Sequence, residues 1–312
     1  MIKKLKLILF IVFFVYQTFA HSKTVDNNDF NPKYLSGYLS AIISQNNLNS
    51  NAAVKYFNSS KILMNKHQEF LKEYAITLTI DGRVQKSINI IKQNSDQNNS
   101  NFFEAKLLLL IDNFKKKKFD QNIELLNEFK EYRDYDNYQY IIYEVLKSYN
   151  DLFLTKEINQ NNEKKFGNLS LINEAFQYCY LDQPEASTKF ISVINSNEGD
   201  YSRYLFFYLN TLIKKKDYNS AHQISKSINI LDSNLLIQQS KQWIANSNYN
   251  KFEEFFSCNN EGDILAEFFF LISNFYVADN NFKKSNFYSN ISNYLNPKFY
   301  FNLTHLLENY FK

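Results

Sequence analysis

The side chains best suited to metal binding or proton transfer are four histidines, His21, His67, His222 and His305, and each stands alone. A zinc site needs several ligands at short spacing, such as paired histidines one helical turn apart. No such pair occurs, so each histidine is read as a surface or capping residue. The glycines Gly37, Gly82, Gly167, Gly199 and Gly262 are isolated. They cannot form a loop whose successive N–H groups cradle a phosphate, and no serine has a nucleophile-elbow context. Glu253 with Glu254, and Glu69 with Glu73, are carboxylate pairs. Acids at such spacing on a helix form a solvated face unless a neighbour drives their pKa values apart. No catalytic constellation, cofactor or metal is implied, and the chain is read as a non-enzyme.

Two lysine runs carry the next candidate chemistry: Lys115, Lys116, Lys117 and Lys118, and then Lys214, Lys215 and Lys216. Both fall where two helices should meet in a tight turn. Cations at helix C-termini are favoured by the backbone dipole, which is the preferred reading. The other reading is a basic ridge facing an acidic lipid or glycan. Intervening turns such as Asp81-Gly82 and Asn280-Asn281 carry no matching charge, which weighs against a continuous ridge.

The N-terminus points to export. Lys3, Lys4 and Lys6 precede an apolar run from Leu7 to Val15, and Thr18 and Ala20 supply small residues at a cleavage site, the layout of a signal peptide over residues 1–20. An uncleaved anchor is the alternative, but the run is shorter than the ~20 residues of a spanning helix. No cysteine follows Ala20 to carry a lipid. The net charge of +3 belongs to these lysines, so the remaining chain is close to neutral. With only Arg83, Arg133 and Arg203 for bidentate contacts, a nucleic-acid partner is not expected. Membrane contact is expected only through the signal segment, and the periplasm of a Gram-negative bacterium is the expected location.

The elements that hold these residues are helices. Gly 5 and Pro 3 in 312 residues leave few turn formers for a many-stranded fold, while Phe 30 and Tyr 23 supply flat side chains to fill gaps between helices. A polar lead over 21–33 precedes a pattern that recurs at about 34 residues. Ala53 with Phe57 is followed by Ser87 with Ile91, then by Asn122 with Leu126. The spacing predicts helices over 34–44, 51–64, 70–80 and 84–93, a unit over 138–157 with a good first helix and a poor second one, and a further unit that opens over 168–183. Such a period marks stacked helix pairs, each too small to bury its own apolar face.

At these residues the sequence resembles the tetratricopeptide repeat family, whose unit has small residues at positions 8, 20 and 27. With Tyr34 as position 1, these fall on Ala41, Ala53 and Ser60; in the second unit Ala75 and Ser87 fill positions 8 and 20. Position 17 is held by Val84, Phe119, Tyr218, Tyr249 and Phe282, and Pro297 takes position 32 of the last complete unit. Asn122 and Phe252 depart from the pattern at position 20, which predicts an irregular array. The resemblance implies an all-α, right-handed superhelical solenoid over 34–312, with about seven repeats and a terminal first helix over 300–311 that lacks its partner. Self-association through that helix is one expectation.

In such an array units as far apart as those of Cys179 and Cys258, 79 residues, do not touch. Two separate buried thiols are therefore expected rather than a bridge. The resemblance also implies a concave groove lined by Tyr38, Gln45, Asn46, Glu69, Lys72, Glu104, Arg203, Asn210, Lys214, Lys241, Glu267 and Asn274, with Ile42, Ile76, Lys115, Phe114 and Phe206 beside them. It implies an exported scaffold or adaptor that binds a peptide or protein there. The alternative function is a non-catalytic glycan- or lipid-associated module that uses the lysine turns.

Overall fold

A computed structural model describes residues 31–95, 100–129, 137–158, 166–196, 203–229 and 233–303. The expected signal segment, most of the polar lead and residues 304–312, which hold most of the expected terminal helix, lie outside these. Among the described residues there are fifteen α-helices and no strands. In chain order they are α1 Pro32–Asn46, α2 Ser50–Ser59, α3 Phe70–Ile80, α4 Val84–Gln93, α5 Phe103–Lys115, α6 Gln121–Phe129, α7 Asn137–Thr155, α8 Asn168–Tyr180, α9 Ala186–Ile194, α10 Tyr204–Lys214, α11 Tyr218–Ser227, α12 Leu235–Ala245, α13 Asn250–Phe255, α14 Glu261–Ala278 and α15 Phe282–Leu295.

Helix α1 starts two residues earlier than the spacing predicts. Asn31 caps it by accepting from the Lys33 N–H at 2.9 Å, and Pro32 occupies the first turn, where its missing N–H has no helical partner to lose. Helix α2 stops at Ser59, short of Met64, and a 3₁₀ turn follows over Lys61–Leu63. Gly37 permits the close crossing of this first pair: a Cβ there would lie 2.2 Å from the Ser60 Oγ.

One turn geometry recurs along the chain. Leu48, Gly82, Lys117, Asp182, Lys216, Ser247 and Asn280 all have φ between 54° and 77°, the left-handed region, each just past a helix end. At each, this residue's N–H bonds back to the carbonyl three residues earlier, and the next N–H bonds to a carbonyl five residues earlier. That pair of bonds is the Schellman C-cap, which satisfies carbonyls the helix leaves open. The next helix begins almost at once, and Asn49, Asp217 and Asn281 cap three such starts through their side chains. The tight turn, not any one side chain, therefore produces the sequence period.

Where the small-residue pattern fails, the substitute side chains are buried and partnered. Asn122 is fully buried and its amide donates to the Asn150 Oδ1 at 3.1 Å. Phe252 is fully buried, stacked on Phe206 with centroids 5.4 Å apart. Helix α7 is a single run of nineteen residues, which interrupts the regular alternation of short pairs.

The chain closes on itself. Helix α15 lies against α3 and α4, and α14 against α5. Lys283 Nζ donates to the Gln45 Oε1 at 3.0 Å and pairs with Glu73 at 3.3 Å; Asn290 donates to the Ile80 carbonyl at 2.9 Å; the Tyr294 hydroxyl donates to the Gln85 Oε1 at 2.6 Å. Tyr138 of α7 meets Phe275 and Tyr276 of α14 at 5.7 and 4.9 Å. The last hairpin thus fills the space that earlier helices surround.

Candidate functional site

Of the residues expected to line an open groove, Arg203 and Gln45 contact the chain's own hairpin α14–α15, and Glu267 belongs to it. Arg203, just before α10, donates from Nε and one Nη to both carboxylate oxygens of Glu267 on α14, each at 2.7 Å. Glu267 is fully buried, and the guanidinium lies 4.1 Å from the Phe270 ring centroid and also donates to Asn302. A fork of this kind is strong and directional. Gln45, also buried, donates to the Thr77 Oγ1 at 2.8 Å while accepting from Lys283. Asn210 is buried and donates to the Phe256 carbonyl at 3.0 Å. Tyr38 is buried among His67 and Phe70.

The remaining groove candidates are more open. Asn46 is exposed, and Glu69 pairs with Lys72 at 3.6 Å with both side chains substantially exposed. Glu104 is half-buried; burial pushes its carboxyl above the usual range against the pull of Lys72 and Lys284. Lys241 donates to the Ile228 carbonyl at 2.7 Å, and the Asn274 Oδ1 is buried without a hydrogen-bond partner among the described residues. His67 and His222 pack on tyrosines, the latter through a 2.9 Å bond with the Tyr249 hydroxyl. His21 and His305 lie outside the described residues.

Five of the seven turn lysines are tied down individually. Lys115 donates to the Tyr294 carbonyl at 2.6 Å and lies 3.6 Å from that ring's centroid; Lys116 pairs with Asp112 at 2.7 Å and Lys117 with Glu261 at 3.0 Å. Lys118 is exposed. Lys214 bonds to Asp182 and Asn259, and Lys215 to the Pro184 carbonyl and Ser187. Lys216 is exposed and has no such partner among the described residues.

The expectation about the cysteines is corrected. Cys179 at the end of α8 and Cys258 between α13 and α14 form a disulfide, with Cα atoms 5.6 Å apart. Sequence separation was a poor guide because α14 returns into the surrounded space. The same junction holds Glu261, which accepts from the buried Tyr180 hydroxyl at 2.9 Å, and Asn259, which donates to the Tyr180 carbonyl at 3.1 Å. An even cysteine count beside the expected export signal was the available hint.

Beside this disulfide lies a pocket of about 260 Å³. Cys179, Cys258 and Phe256 contribute apolar lining, and Lys214, Lys216, Asn250 and Glu253 contribute polar groups. Tyr218 and Tyr249, which also line it, stack with centroids 4.2 Å apart and planes 11° apart. Both tyrosines fall at position 17 of the repeat the sequence resembles, a reading that says nothing of a pocket. Among the described residues no cluster of three or more His, Cys, Asp or Glu is placed to hold a metal, and no helix is long and apolar enough to cross a membrane. Comparison with family models, curated proteins and solved structures finds no match.

Proposed function

We propose that the chain is an exported, tetratricopeptide-like solenoid that acts as a non-catalytic scaffold or adaptor for a peptide or protein. The observation that supports this reading is the hairpin α14–α15, which packs against α3, α4 and α5 in the way a bound helical segment would. A face that accepts helices in cis is suited to helical recognition, and its uncovered margin near Asn46, Glu69 and Lys72 is the part left for a partner. The disulfide supports export, because such bonds persist in oxidising compartments.

The test is capture from an envelope extract by the mature chain and by a Glu69→Ala/Lys72→Ala variant. Loss of the same partner band in the variant is expected. Undiminished capture would move the interface away from this margin. A second reading, a glycan-associated module, is favoured by the pocket beside the 214–216 turn, where Lys216 has no partner among the described residues and aromatic surface is at hand.

A further inference from the structure

The pocket between α10, α11 and α13 combines three features that together select a ligand class. Its size, about 260 Å³, falls just below the range of roughly 300–1,000 Å³ typical of drug-sized ligand sites, so it suits one or two small rings. Its apolar share comes from Phe256, the disulfide and the Tyr218–Tyr249 stack, with Tyr218 36% exposed. Since the two tyrosines cover each other's inner faces and Phe256 is fully buried, the outer face of Tyr218 is the part that can accept the C–H face of another ring, while polar edges fix its orientation.

The charges decide the rest. Lys214 is engaged by Asp182 and Asn259. Lys216 and Glu253 are both exposed, opposite in sign and without a hydrogen-bond or ion-pair partner among the described residues. An anion entering here gains Lys216 but meets the Glu253 carboxylate, and a cation meets the reverse. A neutral, hydroxyl-rich ring can accept from the ammonium and donate to the carboxylate at no such penalty, with the Asn250 amide as a further partner.

We propose that this pocket binds a neutral saccharide, with the Tyr218 ring as stacking surface and Lys216, Asn250 and Glu253 reading hydroxyls. This rests on the glycan reading above and narrows it to uncharged sugars.

The test uses the mature full chain and two probes, cellobiose and the acidic disaccharide digalacturonate, followed by saturation-transfer difference NMR and titration. Cellobiose is expected to show transfer on its ring protons, to bind at least tenfold more tightly than digalacturonate, and to lose at least tenfold in affinity in Tyr218→Ala. Glu253→Gln leaves the stack untouched and is expected to narrow the preference for the neutral sugar, which keeps the test decisive if Tyr218→Ala misfolds. Tighter binding of digalacturonate would overturn the neutral-sugar assignment while leaving the glycan reading standing. Absence of binding by either disaccharide would overturn both.

Discussion

Arg203 and Glu267 show how much a single pair carries here. Glu267 is fully buried, and both of its oxygens accept from one guanidinium. Arg203→Ala should therefore cost about 3–5 kcal/mol in urea unfolding, because it strands a buried carboxylate, whereas Arg203→Met with Glu267→Met should recover most of that loss. A second residue-scale prediction concerns Asp263 in the first turn of α14. Burial pushes its carboxyl up to about 6, against donation from the Ser257 N–H and attraction from Lys298. Since the folded pKa lies above the ordinary one, the folded state holds the proton more tightly. Its contribution is thus favourable in acid and is lost as pH rises from about 4 to about 6, by at most about 3 kcal/mol. Asp263→Asn should flatten that part of a stability-against-pH curve. Neither residue stood out for this role in the sequence. Arg203 and Glu267 each fell on a groove position of their own unit, but 64 residues separate them, and local spacing says nothing about such a pairing.

The helices and turns were the most legible level. Helices α3 and α4 match the spans read from the periodicity, because the alternation of buried and exposed positions is a local property that each helix must satisfy. Helix α7 and the junction between α13 and α14 were less legible, since both depend on what packs against them later in the chain. The recurrent Schellman turn offers a direct test. Six of its seven left-handed positions carry a side chain rather than glycine, and that conformation costs an L-residue roughly 1 kcal/mol. Ser247→Gly should therefore raise stability by up to about 1 kcal/mol, and Gly82→Ala should lower it by about as much, both read from thermal melts. The disulfide acts at the same scale. It fastens the base of the terminal hairpin to α8, closing a loop of 79 residues. Reduction should cost about 2–4 kcal/mol, and hydrogen exchange should show the loss of protection first around residues 256–261.

At the scale of the whole molecule, the return of α14–α15 decides the shape. A period reports only contacts between neighbouring units, so it fits an array that stays open and one that curls around its own end equally well. The signal for closure was present in the composition of α14: Ile264, Leu265, Ala266, Phe268, Phe269, Phe270 and Ile272 are apolar around most of the helix, interrupted by Glu267, and all are buried. A helix apolar around most of its surface must be enclosed, whereas a terminal helix of an open array would show a polar face to water. The enclosure is also polar in places, with Lys283, Asn290 and Tyr294 bonded to α1, α3 and α4 across more than 200 residues of sequence. Those bonds fix register as well as proximity. Small-angle scattering of the mature chain should then give a radius of gyration near ~19 Å, the value for a compact domain of this length. Lys283→Glu, which places a second acid beside Glu73, should loosen the contact of α15 and increase that radius. A markedly larger radius for the unaltered chain would mean that the hairpin does not stay seated against α3, α4 and α5.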